Sequence, residues 1–217
     1  MRRSALVLAG GRSSRMGVNK ATLPFGDESF IQCTVRACRE VCADVVVAVG
    51  PEGSPEDLRS LPMDVRVLRD PGVGPLGAIA TGLSDAGPDA LLFVTACDTP
   101  LLDQRLIQFL FAQAEGNRGA VPMLAGRPQA TCAVYASGLS ADAEAFVQEG
   151  DLRASRLAGL PGVLQLSEDD LRKADPELWS FRGCNTVEEY VALLESAGQP
   201  IPYGFLRAAG LHLLRHS

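Results

Sequence analysis

The chain has 217 residues, of which 47% are hydrophobic and 21% are charged, a composition typical of a globular protein with a substantial core. Its formal net charge of −6 argues against a general nucleic-acid-binding protein. No apolar run is long enough to span a membrane, and the run at residues 5–9 leads into glycines rather than a leader-peptide cleavage site, so we expect a cytoplasmic protein.

Short apolar runs alternate along the chain with segments whose apolar residues recur at helical spacing. This alternation predicts an α/β fold: a three-layer, doubly wound, mostly parallel sheet of the Rossmann-like type, with helices on both faces. The predicted strands lie at residues 5–9, 44–50, 65–70, 89–97, 119–123, 130–135 and 162–167. The predicted helices lie at residues 29–42, 54–61, 75–83, 102–114 and 186–197.

Residues 1–198 contain no clear linker and are expected to form one domain. Residues 199–217 form a C-terminal tail set apart by Pro200 and Pro202, and we expect it either to dock on the domain or to be flexible. Six cysteines without CxxC spacing predict reduced, buried side chains rather than a zinc or disulfide framework. The two histidines, His212 and His216, indicate a surface helix end more than a metal site.

A basic loop follows the first predicted strand. Two adjacent glycines open this loop, and Arg12, Arg15 and Lys20 follow before the first acidic residue of the chain, Asp27. Glycines let a ligand approach the backbone, and successive N–H groups in such a loop can bind an anion. The pattern favours phosphate binding over a plain tight turn with solvated arginines, although it is neither a P-loop nor a GxGxxG motif.

Three more segments follow strands of the same predicted sheet and should reach the same edge, where ligands bind in open α/β sheets. The first is the glycine-rich stretch after Leu68, which leads into a helix with Pro75 in its first turn. The second is Asp98, which is placed either to hold Mg²⁺ or to cap the next helix. The third is the loop before Thr186, where Asn185 would face the edge and Glu189 would complete a capping box.

Taken together, the stretches "LAGGRSSRMGVNK", "GPLGAIATGL", "ACDTP", "GRPQATCAVY" and "CNTVEEY" resemble the molybdenum cofactor guanylyltransferase family, within the larger group of nucleotidyltransferases. They come in the family's order and span residues 5 to about 195. Relatives that use CTP typically carry LAAG in the first motif, so the double glycine here favours GTP. Val187, Ala130 and the pair Gly183–Cys184 depart from the residues most common in the family.

The resemblance implies transfer of GMP from GTP to molybdenum-bound molybdopterin, with Mg²⁺ as the metal ion and pyrophosphate as the second product. A molybdoenzyme or a cofactor-delivery protein is then an expected partner, and nucleic acid and membrane are not. By the same resemblance, catalysis would rest on Arg15, Lys20 and Asp98, with Asp98 as the metal ligand, while Arg127, Pro128 and Gln129 would face the pterin. The residues expected to bind the nucleotide and its phosphates are Leu8, Ala9, Gly10, Gly11, Arg15, Lys20, Asp70, Gly74, Pro75, Leu76, Gly77, Asp98 and Asn185.

Two alternatives remain open on the sequence. A CTP-dependent molybdopterin cytidylyltransferase, or a nucleotidyltransferase for a sugar or polyol phosphate, would use the same fold and similar motifs. A nucleotide-binding protein that delivers the cofactor without catalysis would keep the glycine loop but would not need Lys20 and Asp98 together. The presence of both residues favours an enzyme.

Overall fold

The structure is a computed structural model that describes residues 1–9, 16, 18–51, 58 and 61–211. The described strands are β1 (Arg2–Leu8), β2 (Pro24–Phe25), β3 (Glu28–Ser29), β4 (Asp44–Val49), β5 (Arg66–Arg69), β6 (Ala90–Ala96), β7 (Gly119–Leu124), β8 (Arg127–Pro128), β9 (Cys132–Ala136) and β10 (Val163–Leu166). The described α-helices are α1 (Phe30–Arg39), α2 (Pro75–Ala86), α3 (Gln104–Ala114), α4 (Ser140–Gln148), α5 (Glu168–Leu171), α6 (Val187–Ser196) and α7 (Tyr203–Ala208).

The central sheet has the strand order β5-β4-β1-β6-β9-β7-β10. Strand β1 pairs in parallel with β4 and β6, β4 with β5, and β7 with β10. Strand β9 runs antiparallel to both β6 and β7, so the remaining strands of this order share one direction. The predicted mostly parallel sheet is therefore confirmed, and the carboxyl ends of β1, β4, β5, β6 and β7 lie along one edge.

Helices cover both faces of the sheet, as predicted. Within β1, the alternating side chains divide between two cores: Ala5 and Val7 point to the first and Leu6 to the second. The first core is formed with buried residues of α1 and α3, such as Ile31 and Phe111. The second core is formed with buried residues of α2 and α4. Burial on both faces explains why the second half of β1, residues 5–8, is wholly apolar.

A third apolar cluster lies outside these two cores and joins parts of the chain that are distant in sequence. Its buried members come from the segment around Lys20, the hairpin formed by β2 and β3, helix α1, the loop before α6, α6 itself and α7. We call this set the third cluster; its buried residues are Met16, Leu23, Phe25, Phe30, Cys33, Cys184, Tyr190, Val191, Leu193, Leu194 and Leu206.

The structure also departs from the predicted elements. Helix α3 begins at Gln104 rather than at 102, because Asp103 is its N-cap and accepts a hydrogen bond from Arg105 N at 2.7 Å. Strand β9 begins at Cys132 rather than at 130, because a turn ends there. Helices α4, α5 and α7 and the short strand β8 were not predicted, and the predicted helix at 54–61 falls mostly outside the described residues.

All six cysteines are free, as predicted, and only Cys97 is not fully buried. Burial raises the pKa of the Cys42 and Cys132 thiols from 9.0 to about 12. Among the described residues, no helix combines the length and apolar character needed to cross a membrane.

Candidate active site

The carboxyl ends of β1 and β6 lie side by side at the edge where the sequence predicts ligand binding. Leu8 is in register with Ala96, and the Leu8 carbonyl accepts a hydrogen bond from Cys97 N at 3.1 Å. Ala9 N in turn donates to Ala48 O at 2.8 Å. These two hydrogen bonds fix the backbone where β1 ends.

Lys20, Asp98 and Asn185 meet at this edge. The Lys20 Nζ atom lies 3.1 Å from Asp98 Oδ2 and 2.8 Å from Asn185 Oδ1, and it donates a hydrogen bond to each. The side chains of Lys20 and Asp98 are 20% and 27% exposed, so the pair is reachable from solvent. Three residues singled out separately in the sequence thus form one polar group, which we call the Lys20 trio.

A turn of 3₁₀ helix holds Lys20 in place. This turn spans Lys20–Thr22, and the Asn19 side chain caps it by accepting a hydrogen bond from Ala21 N at 3.0 Å. Ala21 and Leu23 are buried directly after Lys20. The backbone on the carboxyl side of the lysine is therefore anchored to the protein core, which directs the ammonium group toward the sheet edge.

Asp98 follows β6 and belongs to a tight turn. Thr99 Oγ1 donates to Ala96 O at 3.0 Å, and Leu102 N donates to Thr99 O at 3.2 Å. The alternative role for Asp98, as the cap of the next helix, is wrong, because Asp103 takes that position. The Asp98 carboxylate instead contacts Lys20.

Asn185 is fixed by the start of helix α6. The predicted N-cap is confirmed: Thr186 Oγ1 accepts from Glu189 N at 3.2 Å. The Glu189 carboxylate, however, reaches one residue further back than in a capping box and accepts from Asn185 N at 2.6 Å. Glu189 thereby orients the backbone of Asn185, a supporting role that the sequence pattern only partly predicted.

Gly183 packs directly against Asp98. A Cβ atom placed on Gly183 would lie 3.1 Å from the Asp98 carbonyl oxygen and 3.7 Å from Asp98 Oδ1. The lack of a side chain at this position lets the loop before α6 come close to the end of β6. Gly183 is thus a supporting residue of the site, and its departure from the residue most common in the family was the signal in the sequence.

The thiols that flank the trio are not candidates for nucleophiles. Burial raises the pKa of Cys97, with Asp98 adding to the effect, and the pKa reaches about 12. Burial likewise raises the pKa of Cys184 to about 12. Thiols with such pKa values stay protonated at neutral pH, and the thiolate is the reactive form.

The glycine-rich stretch after β5 lies at the same edge, although its hydrogen bonds are local. Asp70 Oδ1 accepts from Gly72 N at 2.8 Å, which closes a small turn. Gly74 has a φ of 89° and is the N-cap of α2, where Pro75 takes the first position as predicted. Leu76 and Gly77 are buried in the first turn, and Gly74 lies beside Leu152, which sequence reasoning did not single out.

Arg127 and Pro128 form β8, which pairs with the end of β7. This hairpin turns at Ala125 and Gly126, both with positive φ, and Gln129 N donates to Pro122 O at 2.8 Å. The hairpin extends from the carboxyl end of β7, on the same edge as the Lys20 trio. The predicted site residues Gly10, Gly11, Arg12 and Arg15, and both histidines, lie outside the described residues.

The oxygen donors of the site suit a hard cation. Among the described residues, no group of three or more His, Cys, Asp or Glu side chains could hold a metal ion. Mg²⁺ needs no such group, because it is commonly bound by one or two carboxylates together with substrate phosphates and water. A partly exposed carboxylate such as Asp98 fits this mode.

Comparisons with known proteins bear on the family of this chain. Residues 5–162 match the family model described as "MobA-like NTP transferase domain". A protein of Pelotomaculum thermopropionicum named "Probable molybdenum cofactor guanylyltransferase" is 34% identical over 191 residues, which cover 87% of this chain and 90% of the relative.

Solved structures share the fold. The crystal structure of molybdopterin-guanine dinucleotide biosynthesis protein A from Archaeoglobus fulgidus matches with a TM-score of 0.77 and 23% identity, covering 90% of this chain and 98% of that one. Rv0371C from Mycobacterium tuberculosis H37Rv, whose structure is described as a complex with manganese, matches with a TM-score of 0.61 and 15% identity, covering 90% of this chain and 100% of that one. The resemblance read from the sequence motifs is confirmed: the chain belongs to the MobA-like NTP transferase family.

Proposed function

We propose that this protein transfers GMP from GTP to molybdenum-bound molybdopterin, giving the guanine dinucleotide form of the cofactor and pyrophosphate. The observation that carries the proposal is the Lys20 trio, in which an ammonium group, a carboxylate and an amide oxygen converge at the edge of a parallel sheet. Family membership supports nucleotidyl transfer, and the names of the relatives support molybdopterin and GTP as substrates.

The proposed reaction exchanges one phosphoanhydride bond for another. An oxygen of the molybdopterin phosphate attacks the α-phosphorus of GTP, the bond from that phosphorus to the β-phosphate oxygen breaks, and pyrophosphate leaves. The protein has to align the two phosphates and neutralise the negative charge that builds up between them. Neither task needs a nucleophile of the protein, which agrees with the protonated thiols beside the site.

Within this reaction the ammonium of Lys20 binds phosphate oxygens and stabilises their charge in the transition state. Asn185 accepts a hydrogen bond from this ammonium through its side-chain oxygen, and its amide nitrogen would donate to the substrate. Asp98 would hold a divalent cation, for which we propose Mg²⁺. Such an ion, when bound, supplies further positive charge to the triphosphate.

Substrate choice is tested by titrating the protein with GTP, CTP, ATP and UTP in the presence of Mg²⁺ in a calorimeter. We expect tight binding of GTP only. A preference for CTP would overturn the proposed nucleotide and leave the fold assignment intact.

Catalysis is tested by incubating the protein with GTP, Mg²⁺ and molybdenum-loaded molybdopterin, followed by mass analysis of the product and a pyrophosphate assay. We expect the guanine dinucleotide and one pyrophosphate per product. Binding of GTP without release of pyrophosphate would instead support a cytoplasmic delivery protein that carries nucleotide or cofactor to a molybdoenzyme.

A further inference from the structure

Residues 199–211 pack against the same small core that supports the candidate active site. Leu206 of α7 is only 4% exposed and is a buried member of the third cluster. Ile201, Phe205 and Leu211 are partly buried against the same cluster. We call residues 199–211 the C-terminal segment. Among the described residues, its apolar side chains belong to neither the first nor the second core. Its position therefore depends on packing against the third cluster.

The third cluster also holds two of the three chain segments that supply the Lys20 trio, those of Lys20 and Asn185. Met16 and Leu23, on either side of Lys20 in sequence, are buried in it. Cys184, directly before Asn185, is buried in it as well. The two segments are 165 residues apart in sequence, and the apolar contacts of this cluster hold them together beside the Lys20–Asn185 hydrogen bond.

Polar and aromatic contacts tie the cluster together. Tyr190 of α6 donates a hydrogen bond from its hydroxyl group to the carbonyl of Pro24 in β2. The Phe30 ring packs edge-on against the Tyr190 ring, with centroids 5.6 Å apart. The Gln199 side chain lies against the turn between β2 and β3, where a Cβ atom on Gly26 would come within 2.7 Å of Gln199 Oε1. The C-terminal segment therefore contacts the β2–β3 hairpin through Gln199 and the third cluster, which includes residues of α6, through Leu206.

From these contacts we infer that the C-terminal segment is a positioning element of the active site: Leu206 fills the third cluster and thereby holds Lys20 against Asp98 and Asn185. The inference about geometry stands on the described contacts, and its effect on turnover rests on the proposed function. Misplacement of a catalytic group by about an ångström can lower a rate by about 100-fold. A large-to-small change at Leu206 is thus expected to lower kcat more than its effect on stability explains.

The chain offers a direct probe of this geometry, because it contains only two lysines, Lys20 and Lys173. In protein labelled with ¹⁵N and ¹³C at lysine, the side-chain NMR spectrum has two sets of signals. Lys173 is 67% exposed and paired with Asp170 on α5, so it serves as an internal reference. The experiment compares the intact wild-type chain with Leu206→Ala, Leu206→Met and Leu166→Ala.

Leu166→Ala is the matched control, because Leu166 is 6% exposed and belongs to the first core. We expect Leu206→Ala to move the Lys20 signals toward those of a free lysine and to lower kcat about tenfold or more, with Lys173 unchanged. Leu206→Met should keep the Lys20 signals and kcat near their wild-type values, because methionine has nearly the same volume as leucine. Below the unfolding temperature of the variant, Leu166→Ala should leave the Lys20 signals and kcat at their wild-type values.

Two outcomes separate the inference from the proposed function. If Lys20 signals in Leu206→Ala coincide with those of the wild type, or move equally in Leu166→Ala, the positioning role is overturned. If the wild-type chain releases no pyrophosphate while the Lys20 signals still respond to Leu206→Ala alone, the proposed reaction fails and the positioning inference stands.

Discussion

At the scale of the residue, Lys20 joins three parts of the chain that are far apart in sequence. Its ammonium group is shared between the Asp98 carboxylate and the Asn185 amide oxygen, so it has fixed partners before substrate arrives. A charge that is already oriented needs little reorganisation when negative charge develops on a phosphate. The same contact ties the position of the lysine to that of Asp98.

Replacing Lys20 with alanine is therefore expected to raise the barrier to nucleotidyl transfer by about 3 kcal/mol, the scale for losing one preorganised group. Steady-state measurement of pyrophosphate release gives kcat and KM for this variant. Lys173→Ala is the control, because that lysine is exposed and pairs with Asp170 away from the site. Unchanged kcat/KM in Lys20→Ala would show that this ammonium is only a surface charge.

Asp98→Asn keeps the shape of the side chain and removes its negative charge. We expect turnover at the background rate at every Mg²⁺ concentration, because an amide is a poor ligand for a hard divalent cation. Asp103→Asn, five residues further on, is the control: it changes the cap of α3 and should retain kcat. Pyrophosphate release at the normal rate and normal Mg²⁺ dependence in Asp98→Asn would rule out Asp98 as the metal ligand.

Gly183→Ala tests the close packing between the last loop and Asp98. The added methyl group would lie 3.1 Å from the Asp98 carbonyl oxygen, so the loop has to move by a few tenths of an ångström. We expect kcat to fall several-fold with little change in unfolding temperature. Gly138→Ala is the matched control, because no atom of the described residues lies within 4 Å of a Cβ atom placed on Gly138. Identical kcat in the two variants would contradict the proposed support of Asp98 by Gly183.

At the scale of the element, the chain between α5 and α6 is ordered by one buried carboxylate. Asp175 is 5% exposed and accepts hydrogen bonds from Trp179 N at 3.1 Å and Ser180 N at 2.8 Å. Ser180 Oγ in turn accepts from Asp103 N at 2.9 Å, which links this turn to the start of α3. The short 3₁₀ turn at Trp179–Phe181 is thereby fixed shortly before Gly183 and Asn185.

Asp175→Ala should lower the free energy of unfolding by about 2–3 kcal/mol, because it removes the carboxylate acceptor of one buried and one partly buried N–H group. Urea denaturation followed by tryptophan fluorescence measures this change, since the single tryptophan, Trp179, lies in the affected turn. Glu177 is an exposed neighbour, and Glu177→Ala should change the free energy of unfolding by less than about 0.5 kcal/mol. Equal effects of the two substitutions would contradict the role of Asp175.

Elements buried on both sides were predictable from the sequence, whereas small surface elements were not. Residues 5–8 of β1, 45–49 of β4 and 90–94 of β6 are continuous apolar runs because each strand is covered on both faces. Helix α4 has Ala143 as its buried residue, so it lacks a marked apolar stripe. The two-residue strand β8 is too short for any periodicity to develop.

Part of the candidate site was predictable from the topology of the sheet. Lys20, Asp98 and Asn185 each follow or precede a recognisable element, and parallel topology brings the ends of such elements together. The roles of Glu189 and Gly183 depend on distances between loops, which spacing along the chain does not encode. The third cluster was not predicted, because its members come from segments with no shared periodicity.

At the scale of the whole molecule, buried thiols couple stability to alkaline pH. Burial raises the pKa of Cys33 to about 11 and those of Cys42, Cys97, Cys132 and Cys184 to about 12, each from 9.0, and it also raises the pKa of Cys38 well above 9.0. A raised pKa means that the folded protein keeps protons that the unfolded chain releases. The stabilising effect is therefore complete below pH 9 and is lost as the pH rises toward the folded-state values.

We expect the free energy of unfolding, measured in urea with reductant present, to fall steeply between pH 9 and pH 11. Each thiol contributes about 1.4 kcal/mol per pH unit to the slope in this window. Cys132→Ala should reduce this slope by about 1.4 kcal/mol per pH unit, whatever the substitution does to the stability at pH 7. A flat profile between pH 9 and pH 11 would contradict the burial of these thiols.

The distance along the chain between Lys20 and Asn185, 165 residues, has a consequence for the newly made protein. Contacts between such remote residues form late in folding, since the long intervening loop must close first at a cost in chain entropy. A chain still emerging from the ribosome, or one that stalls before α6, cannot yet form the complete Lys20 trio. Immature molecules are therefore not expected to compete with finished copies of the enzyme for its substrates.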